Sequence, residues 1–350
     1  MKNSMFRSKR FWIGLSFFSG LVLASFLFTW YGKDLYSQTQ VLIKDADGNV
    51  SHSAPFNPLL MPPFGSDRSG YNLFFKLIIG AKFTILFVFG ICLIQLVLGT
   101  LLGSFLAYTP PSVQKFIEKV CKVYFYVPTV VLVILFMMPL MIKSEQTGFQ
   151  ESIVIKQFLL LCIITLPNLI LYISQEINLF MKKDYITSSI VLGGRKMHVF
   201  RKHIWLSLKE ILVILFLQQA VQLFTLLIHM GFFKVLIGGR KMVQDPFGGP
   251  STAFSLTNEW SGLIGLNKNE LLTAPWIILA PLVAFTISIF VLNFFFMIQG
   301  IKEQYNTRFM PIPQKNQDSA VGEKKTVLPV DKFRFANMKP LYKGKDSSYE

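Results

Sequence analysis

Six long apolar runs separated by polar segments dominate the pattern of this 350-residue chain. Each run approaches or exceeds the ~20 residues that a helix needs to cross the hydrocarbon of a bilayer. The fourth run is the weakest, because Lys156 lies near its start and Pro167 near its end, although membrane helices tolerate proline. The runs are Phe11–Tyr31, Phe83–Tyr108, Val123–Ile142, Ile153–Ile173, Ile211–Phe233 and Ala274–Ile298. This pattern predicts an all-α, polytopic membrane protein with six transmembrane helices.

The first run also has features of a secretory signal peptide, namely a basic start and Val22-Leu23-Ala24 as a possible cleavage site. Apolar residues continue past that site to Trp30, and five further runs follow. An uncleaved anchor is therefore the expected role of the first run, and a signal peptide is the alternative.

The overall composition agrees with a membrane protein. Hydrophobic residues make up 52% of the chain and charged residues 15%, against roughly 25% charged in ordinary soluble domains. The net charge of +16 is spread between and after the apolar runs, which argues against a nucleic-acid partner. Cys92, Cys121 and Cys162 lie within or beside apolar runs, so no disulfide framework is predicted.

The distribution of Lys and Arg predicts the orientation in the membrane. Of the 35 basic residues, 24 lie in the segments 1–10, 109–122, 174–210 and 299–350, and 11 lie in the segments between them. Because cytoplasmic segments carry the excess of positive charge, both termini and the 174–210 loop are expected to face the cytoplasm.

These assignments divide the chain into four parts. Residues 1–31 form the N-terminal tail and first helix, 32–82 an extracellular loop, and 83–310 a core of five helices with a further extracellular loop at 234–273. The tail 311–350 is polar, basic and interrupted by proline, so disorder is expected there, with attraction to anionic membrane lipids as a lesser possibility.

No catalytic motif is found in the sequence. It has no GxxxxGK[ST] loop for a nucleotide, no HExxH zinc motif and no G-x-S-x-G elbow. We therefore expect no catalytic residue, no metal ligand and no directly bound cofactor. If the chain supports uphill movement, a partner must supply the energy.

Glutamines interrupt two of the runs. Gln95 lies in the second, and Gln218, Gln219 and Gln222 cluster in the fifth, where Gln218 and Gln222 are one helical turn apart. They can form hydrogen bonds between helices, worth about 0.6–2 kcal/mol each. Alternatively, Gln95, Gln218 and Gln222 line a translocation path.

Close helix packing is expected at Gly99-x-x-x-Gly103.

A basic, half-polar segment, Asp184–Leu206, connects the fourth and fifth runs. We expect it to fold into short helices on one side of the membrane and to dock another protein. Gly193 can end the first of these helices in the left-handed conformation. The alternative is an ordinary positive-inside loop.

Several motifs in order along the chain resemble one family of permeases. Pro62-Pro-Phe-Gly-Ser-Asp-Arg-Ser-Gly70, followed by Leu77-Ile-Ile-Gly-Ala-Lys82, resembles PFGTDxxGRD…LIYGAR. Further along, Leu166-Pro167, Glu176 and Asp184-Tyr185 resemble WPG…E…DY, and Glu259-Trp-Ser-Gly262 with Thr273-Ala-Pro-Trp276 resembles SWG…SAPW. The last motif, Gly300-Ile-Lys-Glu-Gln-Tyr-Asn-Thr-Arg308, resembles GLRDALDPR. These motifs are similar to those of the C-type permease of dipeptide and oligopeptide ABC importers.

In that family, the loop corresponding to Asp184–Leu206 is a coupling helix that docks on an ATP-binding subunit. The resemblance therefore implies a docking role for a set of residues in this loop. The set is Asp184, Tyr185, Thr187, Ser188, Ser189, Leu192, Gly193, Arg195 and Ile204. The chain departs from the family where Thr187-Ser188-Ser189 replaces Glu-Ala-Ala and where Leu206 replaces proline.

The resemblance also implies the partners and the setting. They are a second permease subunit forming a heterodimer, two ATP-binding subunits that use ATP, an extracellular solute-binding lipoprotein, a peptide substrate and the lipids of a bacterial plasma membrane. The same type of subunit serves nickel and metal-chelate importers, and the altered loop also fits a transport-incompetent regulatory or assembly subunit. A polytopic membrane enzyme would need convergent polar residues at one depth, and the sequence offers only the glutamines.

Overall fold

The computed structural model describes residues 9–32, 35, 38–45, 47–243 and 252–288. The remaining positions include parts of several predicted features. These features are the start of the N-terminal tail, both outer loops, the second half of the sixth run, the 300–308 motif and the 311–350 tail. Predictions on those positions lie outside the described residues.

The described chain is mostly helical, with two short antiparallel hairpins. Its α-helices are α1 (Lys9–Tyr31), α2 (Leu73–Ala107), α3 (Pro111–Phe125), α4 (Thr129–Thr147), α5 (Glu151–Met181), α6 (Asp184–Val191), α7 (Lys196–Val199), α8 (Trp205–Phe232), α9 (Trp260–Leu266) and α10 (Trp276–Ser288). The hairpin strands are β1 (Leu42–Lys44) with β2 (Val50–Ser53), and β3 (Arg240–Val243) with β4 (Thr252–Ser255).

Four of the described helices, α2, α4, α5 and α8, contain segments long and apolar enough to cross a membrane. Shorter apolar segments lie in α1 and α10. The expectation of a helical membrane protein is confirmed at this level, whereas the six spans and the cytoplasmic termini stay predictions.

The third apolar run is not one helix. Within Val123–Ile142 the chain leaves α3 after Phe125 and starts α4 at Thr129, with Pro128 in an extended conformation between them. Proline cannot donate a backbone hydrogen bond, and it disfavours helical geometry in the residue before it. A hydrophobicity pattern does not register this break, because the residues around it are apolar or aromatic except for Thr129.

The two halves of this broken helix lie along α5. The Tyr124 hydroxyl donates a hydrogen bond to the Ile164 carbonyl at 2.6 Å, and the Asn178 amide donates to the Gln114 side chain at 2.9 Å. The helix α3 therefore runs antiparallel to the second half of α5. The break lies level with the middle of α5.

The pair α2 and α5 forms the centre of the bundle. A Cβ atom added to Gly103 would lie 2.9 Å from the Ile170 carbonyl oxygen, and one added to Gly99 would lie 2.8 Å from Leu169. The two glycines therefore let the α2 backbone approach α5 closely, which confirms the packing predicted from their spacing.

At the other end of α2, residues 56–76 and 256–276 form a compact cap. Trp260 of α9 donates its indole N–H to the Leu77 carbonyl at 2.8 Å and its backbone N–H to the Thr84 hydroxyl at 3.1 Å. Asp67 and Lys76 form a buried ion pair. The α9 helix is thus fixed to α2 by polar contacts as well as by apolar packing.

Two carboxylates of the cap have shifted pKa values in opposite directions. Burial raises the pKa of Glu259 to about 7, although hydrogen bonds from Ser261 act against this shift. At Glu270, burial also acts to raise the pKa, but hydrogen bonds from Arg68 and Thr273 outweigh it, so that this pKa lies below its ordinary value.

We expect Gly103→Ala to lower the free energy of unfolding by about 1–3 kcal/mol, because the new methyl group meets a backbone carbonyl that only a shift of α5 can move away. Thermal unfolding of the purified chain in detergent measures this loss. Gly20→Ala is the matched control, since nothing lies within 4 Å of its added Cβ. An unchanged melting temperature for Gly103→Ala would contradict the packing assigned to the two central helices.

The raised pKa of Glu259 predicts that acidification stabilises the cap. Between its ordinary pKa of 4.5 and about 7, the folded state holds a proton that the unfolded state has released. Stability therefore falls as the pH rises through this window. We expect a higher melting temperature at about pH 5 than at about pH 8, and a smaller difference for Glu259→Gln. An equal pH dependence in that variant would show that other groups cause the effect.

Candidate functional site

The segment predicted to dock a partner begins where α5 ends. Two residues, Lys182 and Lys183, separate Met181 from α6, after which the chain turns at Gly193 and Gly194 and forms α7. A π-helical turn, Phe200–Ile204, then joins α7 to α8 without a break. The segment therefore directly connects two long helices of the bundle.

Buried aliphatic side chains fix the segment to the bundle. Ile186, Val199 and Ile204 are each no more than 2% exposed, and they belong to one apolar cluster with Ile177 of α5 and Leu208 of α8. Displacing α6 would consequently disturb the packing of both long helices.

The turn after α6 depends on Gly193. Its φ angle is +86°, and the next residue, Gly194, donates its N–H to the Ser189 carbonyl at 3.0 Å. Residues with a Cβ rarely adopt this left-handed conformation, so the glycine sets the direction in which the chain leaves the helix.

Large apolar side chains are exposed at the tip of the segment. Val191 is 81% exposed, Leu192 87% and Met197 69%, and Tyr185 is half exposed. After the role predicted for this segment, we call these four residues, together with the exposed basic residues Arg195 and Lys196, the docking surface. Apolar groups exposed together and bordered by charge are typical of protein interaction sites.

The polar residues predicted at the centre of the segment make local contacts. The Thr187 hydroxyl donates to the Lys183 carbonyl at 3.3 Å, and the Ser188 hydroxyl donates to the Asp184 carbonyl at 2.8 Å. Ser189 is half buried, and Asp184 is exposed at the start of α6. Sequence reasoning missed Val191 and Met197, although their position beside the Leu192-Gly193 turn was a usable signal.

A second feature is a cleft of about 360 Å³ where α3, α4, α5 and α8 meet. We call it the mid-span cleft, because the break between α3 and α4 and the middle of α5 both border it. Its lining residues are Tyr124, Phe125, Thr129, Val130, Ile164, Thr165, Asn168, Gln219, Gln222, Leu223, Thr225, Leu226 and His229. None of these carries a carboxylate, an ammonium or a guanidinium group.

The three glutamines predicted to line a path have different surroundings. Gln222 lines the mid-span cleft. Gln218 is exposed on the same helix but is not among the lining residues. Gln95 is buried between α2 and α5, where its amide donates to the Cys162 carbonyl at 3.2 Å and to the Thr165 hydroxyl. The neighbouring Gln219, which the sequence analysis did not assign to the path, lines the cleft.

Exposed polar residues form a stripe along α8. Gln218, Gln222, Thr225 and His229 follow at intervals of four, three and four residues, which places them on one face of the helix. Thr225 and His229 make hydrogen bonds to carbonyls one turn earlier in α8, so the amides of Gln218 and Gln222 are the groups on this face that favour water or another protein over lipid. The stripe therefore marks the side of α8 that needs a polar neighbour.

Within the described residues, no group of three or more His, Cys, Asp or Glu side chains is arranged to hold a metal ion. Comparison with known proteins finds no matching family model and no matching curated protein.

Proposed function

We propose that this chain is the transmembrane permease subunit of an ATP-driven ABC importer for peptides. It forms half of the translocation path and docks an ATP-binding subunit through the segment 184–206. The observation that carries this proposal is the docking surface, whose exposed apolar tip lies on the segment that joins α5 to α8. The order of the sequence motifs supports the same assignment.

The geometry suits the transfer of motion. Both α5 and α8 line the mid-span cleft, and the segment that connects them bears the docking surface. Because Ile186, Val199 and Ile204 are packed into both helices, a partner that pulls on α6 also acts on two walls of the cleft. A loosely attached loop would absorb such a displacement.

The remaining partners follow from this role. A second permease subunit covers the polar stripe of α8 and completes the path. Two ATP-binding subunits sit on the cytoplasmic side, and an extracellular lipoprotein delivers the peptide. The chain is then a multi-pass protein of the bacterial plasma membrane with both termini in the cytoplasm.

We expect Leu192→Glu and Arg195→Glu to weaken the association with the ATP-binding subunits at least roughly tenfold, because each change places a negative charge on the exposed docking surface. Gly193→Pro has the same effect, since proline cannot adopt the positive φ angle of this turn. Co-purification with ATP-binding subunits encoded beside the gene, followed by titration, measures the affinity.

Leu272→Glu provides the matched control, because Leu272 is 94% exposed but lies in the cap. This variant should bind like the unmodified chain. Full association of both Leu192→Glu and Arg195→Glu would refute the docking assignment.

A further inference from the structure

We propose that the mid-span cleft binds the carboxylate end of the transported peptide, with the N-terminus of α4 receiving the carboxylate. This inference rests on the proposed function and assigns a ligand chemistry to one place on the path.

The broken third run directs a helix N-terminus into the cleft. The first two residues of α4, Thr129 and Val130, both line it. The first N–H groups of an α-helix have no partner within the helix, and no side chain caps these, since the preceding residue is Pro128. Free N–H groups and the positive end of the helix dipole together attract a carboxylate.

Gln219 supplies an independent observation. Its side chain lines the cleft, is only 7% exposed, and makes no hydrogen bond to any described residue. The amide atoms of Gln219 are not fully enclosed, so they open into the cleft and can bond a group that enters from outside. Asn168 and Gln222 add two more amides, both exposed at the rim of the cleft.

The lining favours a peptide end over other solutes. Amide side chains both donate and accept hydrogen bonds, as does a peptide backbone. Tyr124, Phe125 and Leu226 provide an apolar wall for a side chain of the substrate. No lining residue carries an anionic group, so a bare metal cation would find no charged ligand here.

The position of the cleft beside the middle of α5 suits a site on the proposed translocation path. Thr165, which lines the cleft, accepts the hydrogen bond of Gln95 at the centre of the α2–α5 contact. Interrupted helices near the middle of a membrane are tolerated where they line a cavity, and in transporters they commonly form the substrate site.

The test uses the complete transporter in proteoliposomes, with ATP inside, and measures uptake of a labelled tripeptide and of the same tripeptide amidated at its C-terminus. For the unmodified chain we expect the free carboxylate form to enter at least roughly tenfold faster than the amide. Asn168→Asp and Gln219→Glu place an anion in the cleft and should abolish this preference, mainly by slowing the carboxylate form. Gln175→Glu is the matched control, since Gln175 is exposed on α5 and outside the cleft.

A second measurement does not depend on transport. In a Cys121→Ser background, Gln222→Cys should react with a water-soluble maleimide, and the free tripeptide should slow this labelling more than its amide does. This experiment requires only the purified chain, and it covers the case in which Gln219→Glu fails to fold.

The outcomes separate the two proposals. Absence of ATP-dependent uptake of either tripeptide by the unmodified chain would overturn the proposed function. Uptake of both forms at equal rates, with Asn168→Asp unchanged and equal protection of Gln222→Cys, would overturn the assignment of the cleft and leave the proposed function standing.

Discussion

The close packing of α2 against α5 is the contact on which the other features of this molecule depend. Gly99 and Gly103 allow the two backbones to approach, and Gln95 adds a buried hydrogen bond to the same interface. The α5 helix then leads into the segment 184–206 at one end and borders the mid-span cleft at its middle. Near its other end, the Gln157 side chain accepts the N–H of Gly238 and donates to the Leu236 carbonyl. A displacement of α5 relative to α2 would therefore move the segment 184–206, the mid-span cleft and the Gln157 contact together.

The length of the apolar runs predicted a helical membrane protein, because burial in lipid demands long apolar helices, and such helices leave a strong signal in one sequence. Where the predicted helix bounds were wrong, single residues determined where the helices begin and end. Pro128 divides the third run although most residues around it are apolar or aromatic. Asn72 caps α2, which starts ten residues before the second run, by accepting the N–H of Phe74. The ends of helices depend on single side chains. Hydrophobicity averaged over many residues does not resolve them.

The candidate sites were predictable only in part. The docking role of residues 184–206 stays a prediction from their motif and basic character, whereas the left-handed turn at Gly193, which the residue type predicts, is confirmed. Which side chains the segment exposes depends on packing, since Ile186 and Val191 are both aliphatic, yet one is buried and the other is exposed. The same holds in α8, where Gln219 and Gln222 line the cleft and Gln218 does not.

The π-helical turn Phe200–Ile204 determines the direction in which each side chain of α8 points around the helix axis. The Trp205 N–H reaches back five residues to the Phe200 carbonyl, so this turn contains one residue more than an α-helical turn would. One residue corresponds to about 100° of rotation around a helix axis. The face carrying Gln222 and His229 is therefore aligned with the cleft by a single inserted residue at the base of the helix. A one-residue deletion there would rotate Gln222 and His229 by about 100° away from the cleft.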